Sequence, residues 1–222
     1  MDRREFTVAL AAGSPWWAGA ATSEADAAAG VRAALERGAL AAVAQLGRAD
    51  GFLGNPQVRI GLPEHLKNAA KLLRATGQGR KVDELVTAMN RAAEAAVPQA
   101  KSLFVSTVKA ISVEDALKLV RSSSATAVTD FFAGKTRVPL AEKFLPIVTQ
   151  ATQGVQLADR YNAVAAKAAG LGLVKGDEAH VQKYVTGRAL DGLFLMIGEE
   201  EKKIRADPVK TGSAILRKVF GG

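Results

Sequence analysis

The sequence predicts an all-α protein, one compact multi-helix domain of about eight to ten helices. Three observations predict it. Ala, Leu, Lys, Arg and Glu, the residues that lose least on entering a helix, dominate the chain. Apolar residues recur at helical spacing rather than in alternation. Gly and Pro fall mostly between the periodic segments, where helices stop and start.

The first helix starts at Ser23 or Asp26 and runs to about Leu46, with Gly47 as its stop. Its apolar stripe is Val31, Ala34, Leu35, Ala42 and Leu46. Asp50 to Pro63 is a connector rich in Gly, Asn and Pro. Within it Gln57-Val58-Arg59-Ile60 alternates polar and apolar, which allows a short extended piece or small hairpin near 57–61. Pro63 suits the first position of a helix to Ala75, closed by Gly77. Lys81 to Ala96 is a third helix, with Val82, Leu85, Val86 and Met89 facing inward. Pro98 starts or kinks the helix that continues to about Ile111. Ser112-Val113-Glu114-Asp115 resembles a capping box for a helix from Val113 to Arg121.

Thr126 to Phe132 reads as a short helix, and Pro139 begins another through Phe144, Ile147 and Val148. Val155 to Ala169 follows, closed by Gly170, Gly172 and Gly176. Asp177 caps the longest helix, Glu178 to about Ala206, which is apolar nearly all round at Leu190 to Ile197 and reads as the buried centre. Pro208 opens a last amphipathic helix through Ile215, Leu216, Val219 and Phe220.

The head of the chain is of another kind. Arg3-Arg4-Glu5-Phe6 precedes a modestly apolar stretch to Ala20, too short to span a bilayer and diluted by Gly13, Ser14 and Pro15. Ala18 and Ala20 are small enough for the A-x-A positions of a signal-peptidase site. Residues 1–20 therefore read as an export signal of twin-arginine type, with an ordinary secretory signal or an uncleaved interfacial segment as alternatives. Residues 21–222 are the single helical domain, and the expected location is periplasmic or otherwise exported.

The chain has no Cys, which excludes an acylated N-terminal Cys, disulfides, a thiol nucleophile and Cys-bound zinc. Lys and Arg number 30 against 22 Asp and Glu, a net charge of +8. Such a surface favours anionic partners, here an anionic lipid or another envelope component. There are only two Tyr and two Trp, both Trp lie in the head, and no dense basic run occurs, so nucleic acid is not an expected partner. No later apolar run is long enough for a transmembrane helix.

Several blocks carry a family likeness. They are Gly51-Phe52-Leu53-Gly54-Asn55-Pro56, Val58-Arg59-Ile60, Leu62-Pro63, Met89-Asn90-Arg91-Ala92-Ala93-Glu94 and Pro98-Gln99-Ala100-Lys101. Further along come Phe144-Leu145-Pro146-Ile147-Val148, Tyr161-Asn162, Ala189-Leu190-Asp191-Gly192-Leu193-Phe194, Glu199-Glu200-Glu201 and Ile204-Arg205. Over roughly four-fifths of its length the chain closely resembles the bacterial family called domain of unknown function 4197. The resemblance implies an exported, all-helical, single-domain protein. It implies no activity, cofactor or catalytic residue. Some relatives carry lipoprotein-type heads, and this chain departs from them in having no Cys.

The candidate ligand-binding residues are Asn90, Arg91, Glu94, Tyr161, Asn162 and Asp191. Asn90 and Glu94 share a helix face with Arg91 beside it, so an amide, a carboxylate and a guanidinium meet. They suit either a polar ligand or a structural pairing in which Arg91 and Glu94 fix helix packing and Asn90 bonds a loop carbonyl. Asp191 sits in the apolar run, where it pairs with Arg188, Arg91 or Lys167, or serves as a buried acid. Glu199 to Glu201 followed by Lys202, Lys203 and Arg205 reads as a solvated face. Tyr161 or Asn162 satisfies backbone groups near a helix end.

His65 and His180 are the only histidines and no zinc, di-iron, phosphate-loop or serine-elbow motif occurs, so no metal, cofactor or catalytic residue is assigned. The expected function is a non-enzymatic binding or interaction module of the bacterial envelope. One alternative is a carrier holding a lipid or small hydrophobic ligand between helices, lined by Phe104, Phe131, Phe132, Phe144, Phe194 and Met196. The other is a metal-free enzyme using Arg91, Glu94 and Asp191.

Overall fold

The computed structural model of the chain describes residues 24–153, 158–159, 161–162 and 180–207. Among them lie seven α-helices, a single 3₁₀ turn and no strand. The helices are α1 (Glu24–Leu46), α2 (Glu64–Ala75), α3 (Gly79–Ala96), α4 (Ala100–Lys109), α5 (Val113–Arg121), α6 (Ala127–Thr152) and α7 (Val181–Ala206). The 3₁₀ turn Val97–Gln99 joins α3 to α4, because Pro98 supplies no N–H there. The export head and the final amphipathic helix lie outside the described residues. So does the segment from Val155 to Ala169, apart from Ala158–Asp159 and Tyr161–Asn162, which are helical.

The helices form a row. α1 packs on α7, α7 on α6, α6 on α3, and α3 on α2 at the edge; α4 and α5 close over α1. The centre is filled by aromatic and branched side chains. Phe52, Phe104, Phe132 and Phe144 are fully buried, and the Phe104 ring lies 4.7 Å from Phe132 and 6.3 Å from Phe194.

Two expected helices are one. α6 runs unbroken from Ala127 to Thr152 and carries Pro139 and Pro146 inside it. An interior proline deletes a helix hydrogen bond and costs about 3 kcal/mol. The reason the helix continues is its buried stripe. Val128, Phe132, Thr136, Leu140, Phe144, Val148 and Thr152 recur every fourth residue across both prolines. Burying the large apolar members is worth about 1.5–3 kcal/mol each, which outweighs the two lost bonds. With 26 residues, α6 equals α7 in length.

Two further expectations need correction. The Gln57–Ile60 alternation marks burial without a strand: Val58 and Ile60 point inward and Gln57 and Arg59 outward, in a turn and irregular backbone. The run Leu190 to Ile197 is not buried all round. α7 has neighbours in α1, α3 and α6, and its remaining side leaves Asp191 and Leu195 exposed.

Local signals hold elsewhere. Ser112 Oγ accepts a hydrogen bond from the Asp115 N–H at 3.0 Å, capping α5. Gly77 takes φ +78° just past α2, a left-handed value that favours glycine.

Candidate functional site

The Asn90, Arg91 and Glu94 trio lies on the face of α3 that meets the 47–63 connector. Glu94 is 5% exposed, and its Oε1 accepts the backbone N–H groups of Phe52 (3.0 Å) and Leu53 (3.1 Å). Its Oε2 accepts from Arg91 at 2.7 Å. Arg91 also donates to Asp50 at 2.8 Å. The hydrogen bond to Glu94, and next the one to Asp50, raise the Arg91 pKa above its ordinary value. Asp50 itself sits at φ 62°, a left-handed conformation that Asp tolerates better than most residues.

Asn90 is fully buried and bonds both backbone groups of Ile60. Its Oδ1 accepts the Ile60 N–H at 2.8 Å, and its Nδ2 donates to the Ile60 carbonyl at 2.8 Å and to the Val86 carbonyl at 2.7 Å. Beside it, the Tyr184 hydroxyl donates to the Gly61 carbonyl at 3.0 Å. The bonds to Ile60 and Gly61 hold irregular backbone that no helix or sheet satisfies, and the bond to Val86 stays within α3. The trio is thus joined as a packing brace, the pairing that its spacing on one helix allowed.

Asp191 stands apart from that network. It pairs with Arg137 of α6 and, at 3.7 Å, with Arg188 one turn back on its own helix. The carboxylate is about half exposed, not a buried acid. Of its expected partners Arg188 is present, Arg91 is engaged by Glu94 and Asp50, and Lys167 lies outside the described residues. The Arg137 partner comes from a helix 54 residues away in sequence, which no local spacing reveals. Asn162 Oδ1 accepts the Val181 N–H at 2.9 Å, so it serves the first turn of α7, as expected for a polar group near a helix end. Tyr161 is 3% exposed and packs in the core.

Sequence reasoning missed Glu201. Read as part of a solvated face, it is 7% exposed. It accepts the N–H groups of Val128 (3.2 Å) and Thr129 (2.8 Å), the Thr129 hydroxyl (2.6 Å), and two N–H groups of Arg205. Its neighbours Glu199 and Glu200 do pair outward with Lys202 and Lys203. The available signal was its place four residues from Ile197 and three from Ile204, both buried.

The enclosed space bordered by α1, α6 and α7 holds only about 10 Å³, about the volume one water needs. Phe104, Phe132 and Phe144 are buried in the core and do not line that space. Open hollows lie on the surface, one of about 410 Å³ lined by Ile111, Asp115, Phe131 and Lys135, one of about 560 Å³ along Arg80–Ala88 of α3, and one at the edge of the row. A groove of about 370 Å³ runs between α2 and α3, walled on one side by Arg59, Gly61 and Leu62. Arg59, Lys67, Lys71 and Arg74 stand on its rim, and Ala70, Val82, Val86 and Leu62 supply apolar surface within it. Asp83 is the lining acid, and Arg74 engages it at 2.6 Å. Lys67 pairs with Glu64. Neither Arg59 nor Lys71 has an acidic partner among the described residues.

Among the described residues no group of three or more His, Asp or Glu side chains is placed to hold a metal ion. No helix there is long and apolar enough to cross a membrane.

Fold and site together define a multi-helix all-α protein, braced by buried carboxylates and with a cationic groove between α2 and α3. Residues 21–221 match the family described as protein of unknown function (DUF4197), and the chain belongs to that family. No curated protein and no solved structure matches it.

Proposed function

We propose that the protein is an exported, non-enzymatic binding module of the bacterial envelope, and that its working surface is the α2–α3 groove. The observation that carries this is the groove itself: four cations around a partly apolar floor, two of them without an acidic partner among the described residues. The polar groups most suggestive of catalysis lend support from the other side. Glu94 and Asn90 already bond the backbone of the connector. Glu94 accepts three hydrogen bonds and is nearly buried, which leaves it little access to a substrate. Asn90 has a positioning role in this reading, because it fixes Ile60 between Arg59 and Gly61 on the groove wall. The reading routes no ligand contact through Tyr161, Asn162 or Asp191.

Export is supported by the Arg3-Arg4 head with Ala18 and Ala20, and by a family match that begins at residue 21. The test combines fractionation with native mass spectrometry. The expected outcome is processed protein in the envelope fraction, carrying an anionic partner released by raised salt. Export should fall when Arg3 and Arg4 are both replaced by Lys. Protein that stays cytoplasmic and retains no partner would overturn the reading.

A further inference from the structure

We infer that the α2–α3 groove takes a single-chain amphiphile with an anionic head. The inference rests on the binding-module reading and names its ligand class. A neutral hydrophobe would cover the apolar floor but strand Arg59 and Lys71 beside it, partly desolvated and unpaired. A small polar anion would satisfy the cations and leave the half-buried Val86 and Leu62 facing water. An amphiphile satisfies both, its head between Arg59 and Lys71 and its alkyl chain along the floor. The volume of about 370 Å³ is at the small end of small-molecule sites, which fits one alkyl chain better than two.

The surroundings support a formed site. The Arg59–Leu62 wall is held from below by Asn90 on Ile60 and from the side by Tyr184 on Gly61. The opposite wall is α2, whose principal neighbour is α3. Lys67, Lys71 and Arg74 recur at i, i+4 and i+7 of α2, so they lie along one face of it. Carboxylate and phosphate heads share the required chemistry, a negative charge with several acceptor oxygens.

The test titrates full-length protein with dodecyl phosphate below its micelle concentration, by calorimetry and by amide chemical shifts. Shifts should localise to Arg59, Gly61 and Val86. Dodecyl maltoside, with the same tail and a neutral head, and inorganic phosphate, with no tail, should each bind at least about tenfold more weakly. The double variant Arg59→Gln/Lys71→Gln should weaken dodecyl phosphate at least about fivefold, since it removes two cations from the head site. Its thermal midpoint should not move, because neither side chain has an ion-pair partner to lose. Lys118→Gln, on α5 and outside the groove, should bind as the parent does.

Equal binding of the maltoside, or parental affinity in the double variant, overturns the inference. So does binding seen only with anionic phospholipid vesicles, which would make the surface a membrane dock. The two readings fail separately. If another anionic partner is retained in the envelope fraction while dodecyl phosphate does not bind, only the amphiphile assignment falls.

Discussion

Glu94 and Glu201 are the same device put to two uses. Each is a nearly buried carboxylate on a long helix, each accepts two consecutive backbone N–H groups, and each is paired with an arginine on its own helix. What they hold differs. Glu201 holds the second and third residues of α6, where a helix lacks partners for its first donors. The residue at the N-cap position, Thr126, makes no side-chain cap bond, so a carboxylate from α7 does that work. It also places negative charge at the positive end of the α6 dipole. Glu94 holds a connector with little regular bonding of its own. Such backbone needs a separate partner for almost every buried group: Glu94 for Phe52 and Leu53, Asn90 for Ile60, and the Asn55 carbonyl for Val58 and Arg59. A regular element needs one brace from outside, whereas an irregular one consumes a cluster. That is how a polar cluster comes to sit in this core as a set of backbone partners.

Removing each carboxylate tests whether the two braces are equivalent. Glu201→Ala should have the largest effect, about 3–5 kcal/mol lost in urea unfolding. It removes the acceptor of five hydrogen bonds, three of them from Val128 and Thr129 at the start of α6. Glu94→Ala should lose about 2–3 kcal/mol. Its backbone donors number two, and half-exposed Arg91 keeps Asp50 as a partner. Hydrogen exchange separates the two variants. The first should lose protection at Val128 and Thr129, the second at Phe52 and Leu53. If both lose it everywhere together, the braces are not local and the comparison fails.

The same pair shows what the sequence could disclose. The helix content, the helix ends at Gly47 and Gly77, and the Ser112 cap depend on neighbours within a few residues, and all were readable. Glu94 was readable as part of a polar cluster, one turn from Asn90 and three residues from Arg91. Glu201 was camouflaged by Glu199, Glu200, Lys202 and Lys203, which do form exposed pairs. Its partners are 72 and 73 residues away, and no local pattern encodes that distance. Pro139 misled for a related reason. Its local preference to start a helix is real, but the stripe from Val128 to Thr152 is a tertiary fact that overrides it. The Arg59 and Lys71 groove was invisible for the same reason, since its walls come from the connector, α2 and α3.

A smaller perturbation probes the loop side alone. A methyl group at Gly192 of α7 would come within 2.9 Å of the Phe52 ring and 3.1 Å of Val58. Both belong to the connector that Glu94 and Asn90 hold. Gly192→Ala should cost about 1–2 kcal/mol through overpacking. It should loosen exchange at Phe52 and Ile60 and leave Thr129 protected. Loss at Thr129 would mean that α7 transmits strain from one brace to the other. Ser112→Ala comes next, at about 1 kcal/mol, because it removes a single exposed cap bond from α5.

Asp191 supplies the smallest expected effect and the sharpest contrast with the braces. It lies on the same helix as Glu201 and also pairs with an arginine, but its carboxylate is 47% exposed. It holds side chains, Arg137 and Arg188, and no backbone group among the described residues. Water can replace it on both guanidiniums, and Arg137 keeps its place 6.0 Å from the centre of the Phe194 ring. Asp191→Asn should therefore change stability by less than about 1 kcal/mol and should lose even that in high salt. A loss comparable to that of Glu201→Ala would show that exposure is the wrong measure of what these carboxylates do. Charge pairing, which Asp191 shares with both, would then be the feature to remove from Glu94 and Glu201 in place of the bonds to backbone donors.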